Sequence, residues 1–209
     1  MRIQIKELKP GLWPDLEELF GASGACGGCW CMWWRLQKGE RWEEVKGAPA
    51  QRRLHQGVLS GTIHGLLAYA DGQVAGWCTW GPRVDFPRLD RAPSLRCLDA
   101  ERVWSIPCFF VKRSFQRQGI GKALLEQALR LMRNKKVPIV EAYPVRTAPD
   151  ATFVPAFSFT GTLSMFLEAG FEMADSKEKG RQRVRLILER QTSALPAKRD
   201  SSRKTQQKR

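Results

Sequence analysis

Apolar and polar residues follow two periods along this chain, one typical of strands and one typical of helices. The segment "RIQIKEL" alternates apolar and polar residues, which favours a half-buried strand, whereas "WPDLEELF" repeats apolar residues at helical spacing. The pattern predicts strands over residues 2–8, 64–70, 73–81, 102–111, 138–145 and 183–190. It predicts helices over residues 13–20, 48–61, 119–136 and 160–170.

The order of these elements predicts the fold class. Asp71-Gly72, a dipeptide that tight hairpin turns favour, joins the second and third predicted strands. The strand at 102–111, the helix at 119–136 and the strand at 138–145 then form a crossover between parallel strands. We therefore predict an α/β fold of the α+β type, in which a mostly antiparallel mixed sheet contains one parallel strand-helix-strand crossover and carries helices on both faces.

Length and composition indicate one folded domain with a tail. A chain of 209 residues with 43% apolar residues can bury one good core and hardly two. We assign residues 1–190 to the domain. Residues 191–209, "QTSALPAKRDSSRKTQQKR", contain six Lys or Arg, one Asp and few apolar residues. We expect this tail to be disordered, because it cannot bury enough apolar surface to offset the entropy of ordering.

Charge and cysteine usage narrow the compartment and the partners. The chain has 35 Lys and Arg against 21 Asp and Glu, a net charge of +14, which suggests an anionic partner. Cys78, Cys97 and Cys108 stand singly in the sequence, as reduced thiols do. The longest apolar stretch, Val103–Val111, is too short to cross a bilayer. We expect a cytoplasmic protein without membrane contact, and both a monomer and a homodimer fit the sequence.

Two glycines stand between the predicted strand at 102–111 and the long helix after it. Gly119 and Gly121 allow a tight turn into the helix and a close approach of the backbone to a ligand. The first helical turn offers unpaired N–H groups and the positive end of the helix dipole. Arg113, Arg117 and Lys122 flank this turn. The segment therefore predicts a site for a phosphate-bearing ligand.

This segment, "QRQGIGKA" at 116–123, resembles the coenzyme A loop of the GNAT superfamily of acyltransferases. Gln116, Gly119 and Gly121 occupy the motif Gln/Arg-x-x-Gly-x-Gly/Ala. The segments "PIVEAYPV" and "TLSMFLEAGF" fall where that superfamily has its next strand and its closing helix, so the resemblance covers about residues 102–175. The earlier "ACGGCWCMWWR" resembles an N-terminal segment of an uncharacterised branch of these proteins.

The resemblance implies transfer of an acyl group, most often acetyl, from acetyl-CoA to an amine of a small molecule or a peptide. The pyrophosphate would lie on the amides of 118–122, and the pantetheine arm would pair with the backbone around 109–111. The cofactor-binding residues so implied are Phe109, Phe110, Val111, Gln116, Arg117, Gln118, Gly119, Ile120, Gly121, Lys122 and Ala123.

A proline also fits this resemblance. Pro107 lies inside the predicted strand at 102–111, where a proline is expected only at an edge or a bulge. In the superfamily this strand bulges and splays from its neighbour, and a backbone N–H left free just after the bulge polarises the thioester carbonyl. We expect the same arrangement here.

The sequence departs from the better-known members in its acid and base. Phe166 stands where many of them have the tyrosine that protonates the leaving thiolate, and Ser105 stands where histone acetyltransferases have a glutamate base. Glu101, Glu141 or a chain of water molecules are alternative routes for the proton. Tyr143 alternates onto the same side as Glu141, as a polar site group or as a core ring with a bonded hydroxyl. The candidate catalytic residues are Glu141, Tyr143 and Ser105.

The segment "CGGCWC" admits three interpretations. Cys26, Cys29 and Cys31 have a spacing that can bind zinc, with His55 or His64 as a fourth ligand. Alternatively, the cysteines are small buried hydrophobes in a loop that its tryptophans pack against the core. The third interpretation, which we favour, places this aromatic segment in the wall of the acceptor pocket. We therefore predict no metal ion.

A competing function comes from a different class of protein. The net charge and the basic tail fit a nucleic-acid-binding protein that keeps an acyltransferase fold without catalysis. No pairing of aromatic residues with Arg or Lys resembles an RNA-binding motif, so we rank this second. Steep salt-dependent retention of DNA or RNA by the tailless domain would distinguish it.

Overall fold

The computed structural model of the protein describes residues 1–146, 159–175 and 180–188, and short 3-10 turns connect the elements found there. The described strands are β1 Ile3–Glu7, β2 His64–Ala70, β3 Gln73–Pro82, β4 Val103–Val111, β5 Ile139–Ala142, β6 Val145–Arg146, β7 Glu172–Asp175, β8 Gly180–Arg181 and β9 Arg183–Ile187. The described α-helices are α1 Trp13–Phe20, α2 Trp42–Val45, α3 Ala48–Leu59, α4 Ile120–Asn134 and α5 Leu163–Glu168. The predicted tail, 191–209, lies outside the described residues.

Seven of the strands form one mixed sheet in the order β1-β2-β3-β4-β5-β9-β7. Within it β4 and β5 pair in parallel, and every other neighbouring pair of this sheet is antiparallel. Helix α4 forms the crossover between β4 and β5, and β2 and β3 form the predicted hairpin around Asp71 and Gly72. The predicted fold class is confirmed.

Helices cover both faces of the sheet because consecutive strand residues point to opposite sides. On one face Leu66 of β2 packs in a core with Leu124 and Leu125 of α4. On the other face Leu67 packs in a core with Leu16 of α1 and Leu54 of α3. All of these residues are buried. The two cores together fix α4 and the α1–α3 pair on opposite sides of the sheet.

Strand β4 contains the predicted bulge. Thr79 of β3 pairs with Cys108, but Gly81 pairs with Ser105, so β4 has one residue more than β3 across this step. Pro107 lies within the step, where its missing N–H removes no ladder bond. The parallel ladder with β5 ends at Ile106. Beyond that residue no described strand pairs with β4 on the β5 side, so the two strands separate.

The strand predicted over 138–145 is two strands in the structure. β5 ends at Ala142, and after Tyr143 and Pro144 the chain enters β6, which pairs with β8 in a separate two-stranded ribbon. The carbonyl of Pro144 accepts a hydrogen bond from the amide of Gln182. Pro144 itself has no N–H for a ladder, which is the physical reason for the break.

Three short elements of the described residues, β7, β8 and α2, were not predicted, and β8 is only two residues long. β7 is the edge strand next to β9, and its four residues are too few for an alternating pattern to stand out. α2 is a single helical turn that packs on α3. In the described ranges, no helix has both the length and the apolar character needed to span a membrane.

Candidate active site

The separation of β4 from β5 opens a cleft of about 520 Å³ beside the start of α4. Its walls are mainly apolar, as they are in most sites for cofactors. The described lining consists of Ala25, Cys26, Phe109, Phe110, Val111, Phe115, Gln116, Arg117, Gly119, Ile120, Gly121, Lys122, Phe159, Gly161, Thr162 and Met165. The structure thus brings into one cleft every predicted cofactor-binding residue except Gln118 and Ala123.

Gln118 and Ala123 lie outside the cleft lining but make hydrogen bonds that hold the turn before α4. The Gln118 side-chain amide donates to the carbonyl of Ser114 at 2.9 Å and closes the loop. The amide of Ala123 donates to the carbonyl of Gly119 at 3.0 Å, which is the first bond of α4. Both residues therefore shape the turn that the cleft residues occupy.

The start of α4 has the geometry of an anion site. Gly119 is the N-cap residue with φ +83°, a left-handed conformation that glycine adopts without strain, and no side chain caps the helix. Arg117 is also left-handed, with φ +59°. The first-turn N–H groups therefore remain available to a ligand, and the helix dipole adds positive potential at the same place. Lys122 and Arg117 in the lining add formal positive charge.

The free edge of β4 presents backbone amides to the cleft. The amide of Lys112 donates to the carbonyl of Ala75 in β3 at 2.9 Å. Because successive residues of a strand point their N–H groups to alternate sides, the amides of Phe109 and Val111 point away from β3 and into the cleft. The side chain of Gln116 donates to the Val111 carbonyl at 3.2 Å and holds the loop against this edge.

Phe166 is part of the core behind the cleft. Its ring is fully buried and contacts Phe109 and Phe171 edge to face, with centroid distances of 6.0 and 5.2 Å. A Cβ added at Gly161, which lines the cleft, would lie 3.3 Å from the outer end of this ring. A proton donor is therefore missing at the position that the resemblance singled out, and an apolar ring fills it.

The three candidate catalytic residues contact one another. The hydroxyls of Ser105 and Tyr143 are 2.8 Å apart, and the Tyr143 hydroxyl donates to the Glu141 carboxylate at 3.0 Å. All three residues are fully buried, and none belongs to the cleft lining. Burial raises the pKa of Tyr143 well above its ordinary value, so its hydroxyl keeps its proton.

Arginine side chains compensate the buried charge of Glu141. Arg185 of β9 donates to its carboxylate at 2.6 Å, and the fully buried Arg83 lies 3.7 Å away. Arg185 also pairs with Asp99 and holds the pKa of that carboxyl down at about 2. The network therefore ties β5 and β9 to the segment before β4. Glu101, the other candidate base, is exposed and outside the cleft lining.

Sequence reasoning placed the cysteine-rich segment in the wall of the acceptor pocket, but it did not assign the wall that residues 159–165 form. Ala25 and Cys26 come from a cysteine-rich loop, residues 21–32, and Phe159, Thr162 and Met165 come from α5 and the residues before it. Thr162 is the N-cap of α5, and its hydroxyl accepts a hydrogen bond from the amide of Met165. A threonine at the N-cap fixes the start of the helix locally, but nothing local in the sequence places the helix beside α4.

The tryptophans around the cysteine-rich loop pack it against the protein. The rings of Trp30 and Trp13 stack with their centroids 6.0 Å apart, and the ring centroids of Trp34 and Tyr143 are 6.5 Å apart. Cys26 is exposed in the cleft wall, while Cys29 is half-buried. This arrangement supports the interpretation of the segment as a wall of the site, although the position of the acceptor stays a prediction.

The zinc interpretation finds little support in the geometry. Among the residues that the structure describes, no group of three or more His, Cys, Asp or Glu side chains could hold a metal ion. The two histidines stack on aromatic rings, His55 on Trp13 at 4.3 Å and His64 on Trp80 at 5.0 Å. Burial also raises the pKa of Cys29 to about 12, which disfavours the thiolate that a zinc ion requires.

Comparison with known proteins identifies the family of this chain. The sequence profile described as "Acetyltransferase (GNAT) family" matches residues 30–151. No curated protein sequence matches the chain.

Several solved structures share the fold. PaiA N-acetyltransferase from Thermoplasma acidophilum, in complex with coenzyme A, has 16% identity and a TM-score of 0.53, over 90% of this chain and 99% of that chain. YncA from Salmonella typhimurium, with acetyl-CoA, has 13% identity and a TM-score of 0.54, over 91% and 96%. Ribosomal-protein-alanine N-acetyltransferase from Brucella melitensis has 17% identity and a TM-score of 0.53, over 88% and 99%.

Proposed function

Since this chain belongs to the GNAT family of acetyltransferases, we propose that it transfers an acetyl group from acetyl-CoA to a primary amine of a small molecule or a protein. The observation that carries the proposal is the cleft at the separated strands, where free β4 amides and an uncapped helix N-terminus face the same space. Similar folds solved with coenzyme A and with acetyl-CoA support this choice of donor. We further propose that residues 1–190 form the acetyltransferase domain and that 191–209 are its basic tail.

The cleft fits coenzyme A by its chemistry. The pyrophosphate would be held by the amides of the first turn of α4, with Arg117 and Lys122 adding charge-assisted contacts. The pantetheine arm bears amides of its own, and the Phe109 and Val111 amides at the free edge of β4 would pair with it. When bound, acetyl-CoA supplies an activated acyl thioester.

The residues that assist the reaction follow from this placement. The Phe109 amide is the first backbone N–H after the bulge that points into the cleft. It is therefore positioned to donate to the oxyanion that develops on the thioester carbonyl of acetyl-CoA. Phe166 offers no proton to the departing thiolate. A thiol has an ordinary pKa of about 8.5, so the thiolate is moderately stable near neutral pH and direct attack by the amine needs no dedicated acid.

Ser105, Tyr143 and Glu141 act, in this proposal, as positioning residues rather than as bases. Their hydrogen-bonded chain lies just below the point where β4 and β5 separate and holds the two strands together there. Because all three are fully buried outside the cleft lining, a proton from the amine has no direct path to them. The role in catalysis itself that the sequence indicated for these three residues stays a prediction.

The test is binding of coenzyme A by isothermal titration together with release of free thiol from acetyl-CoA in the presence of a library of amines. Lys122→Ala should weaken binding, because it removes a charge from the start of α4. Arg130→Ala is the matched control, since Arg130 is exposed on the same helix outside the cleft lining. If the native chain does not bind coenzyme A but retains DNA or RNA in a salt-dependent manner, the nucleic-acid-binding alternative is correct instead.

A further inference from the structure

Two cysteines that lie 77 positions apart in sequence meet on the α1–α3 side of the sheet. Cys31 lies next to the last residue of the cysteine-rich loop, and Cys108 lies on β4 directly after Pro107 of the bulge. Their Sγ atoms are 3.2 Å apart, while both thiols are free and both residues are buried at 4% and 6% exposure. A disulfide bond is about 2.05 Å long, so the sulfurs need to approach by only about 1.2 Å.

The surroundings distinguish the two sulfurs. The indole N–H of Trp77 donates to Cys31 Sγ at 3.0 Å, and a donor of this kind stabilises negative charge on sulfur. The Cys31 sulfur and burial together hold the pKa of the Cys108 thiol well above its ordinary value, so Cys108 keeps its proton. Cys31 Sγ accepts the Trp77 hydrogen bond and lies against the Cys108 thiol, so Cys31 is the better placed of the two to react as a nucleophile.

Cys31 is also held in an uncommon backbone conformation. Its φ is +55°, and the preceding Trp30 has φ +43°, a left-handed region that side chains other than glycine rarely occupy. Trp30 packs in the core against Trp13 and Phe20, which supplies the contacts that maintain this turn. Such strain tends to concentrate at functional positions.

We propose that Cys31 and Cys108 are a redox-modification site, which hydrogen peroxide converts into a disulfide that ties the cysteine-rich loop to β4. This proposal is independent of the acetyltransferase reaction. Because the thiols retain only a few per cent of their surface, the oxidant that fits is a small hydroperoxide rather than a bulky disulfide.

The chemistry balances in two steps. The Cys31 sulfur attacks one oxygen of the peroxide, the O–O bond breaks, and a sulfenic acid and one water form. The Cys108 sulfur then attacks the sulfenic sulfur, the S–S bond forms, and a second water leaves with the Cys108 proton. Two thiols are thus oxidised by two electrons, and one hydrogen peroxide is reduced to two waters.

The bond would change the wall of the cleft. Ala25 and Cys26 of the cysteine-rich loop line the cleft, and Cys108 is the neighbour of Phe109, whose amide faces it. A covalent link between Cys31 and Cys108 therefore joins the cysteine-rich loop, which forms one wall of the cleft, to β4, which forms another wall. Reduction by a thiol releases the wall again.

The test uses the full chain, treated with hydrogen peroxide and then alkylated, digested with trypsin and mapped by mass spectrometry without reduction. Cys108 is the only cysteine of the tryptic peptide 103–112, whereas Cys26, Cys29 and Cys31 share the peptide 7–35. We expect these peptides to be joined, and we expect the join to persist in a Cys26→Ser, Cys29→Ser variant. If peptide 103–112 stays alkylated at Cys108 while peptide 7–35 is oxidised, the proposal is wrong.

A melting experiment gives a second readout that does not depend on activity. Closing a loop of 77 residues restricts the unfolded chain, and for a domain of this size we expect the oxidised protein to melt about 10 °C higher than the reduced one. Dithiothreitol should reverse the shift. Cys108→Ser should abolish it, and Cys97→Ser, which removes a half-buried thiol elsewhere, should leave it intact. An equal shift in Cys108→Ser would overturn the proposal.

Discussion

Replacing Gly121 with valine should separate ligand binding from folding. Gly121 is the second residue of α4 and lines the cleft. Among the described residues outside its own helix backbone and chain neighbours, a Cβ built there meets the Met165 sulfur alone, at 3.4 Å, so the fold leaves room for a side chain on the cleft side. The two methyl groups of valine would then occupy the space in which the first-turn amides meet the pyrophosphate.

The expected effect on binding is large. A hydrogen bond to a charged group contributes about 1.5–3 kcal/mol, and loss of two such amide contacts costs about 3–6 kcal/mol. This corresponds to a fall in coenzyme A affinity of roughly 10²- to 10⁴-fold. The effect on stability is small, because valine is a better helix residue than glycine by a few tenths of a kcal/mol and the Met165 side chain can move.

Isothermal titration with coenzyme A measures the first effect and thermal melting the second. Gly121→Ala is the matched control, since one methyl group at ordinary contact distance should weaken binding less than Gly121→Val does. We expect the melting temperatures of both variants to stay within about 2 °C of the native value. If Gly121→Val binds coenzyme A as tightly as the native chain, the start of α4 does not hold the pyrophosphate.

Four further predictions follow from the site and its surroundings. The Arg185 guanidinium holds the pKa of Asp99 at about 2. The stabilisation that this ion pair gives to the folded state is therefore present above the ordinary pKa of 3.8 and is lost as pH falls toward 2. Urea titrations should show Asp99→Asn to be less stable than the native chain at pH 6 and equally stable near pH 2. Glu141→Gln should lower the free energy of unfolding by about 3 kcal/mol, because it leaves buried guanidinium groups short of a counter-charge; a loss below 1 kcal/mol would contradict the network. Phe166→Tyr should change turnover by less than about threefold, whereas a recovered general acid would raise it by about 10²-fold or more in a thiol-release assay. Removal of 191–209 should lower the melting temperature by less than about 5 °C, and a larger drop would show that the tail docks on the domain.

Local sequence patterns predicted most of the helices and strands and the side of the cleft at the start of α4. The alternation along β1, the Asp71-Gly72 turn and the helix predicted over 119–136 each depend on residues a few positions apart, so they can be predicted from the sequence. Gly119, which precedes α4, is a feature of the same local kind, because a left-handed residue at a helix start is a local backbone requirement. Pro107 likewise indicated an edge or a bulge, since a missing donor is a property of the residue itself, and the family resemblance implied the bulge that the structure has.

Only the tertiary structure decided which side chains from distant segments contact one another. Ser105 and Tyr143 are 38 positions apart, and Cys31 and Cys108 are 77 positions apart, yet each pair is in contact. The local pattern of apolar and polar residues does not predict such contacts, because they depend on strand register and on the path of long connections. The same reason explains why the sequence suggested Glu141 as a base, while folding surrounds it with arginines and removes it from the cleft. The sequence by itself specified the turn into α4 and the bulged strand β4. The packing of distant segments decided which other residues line the cleft and which polar groups stay buried.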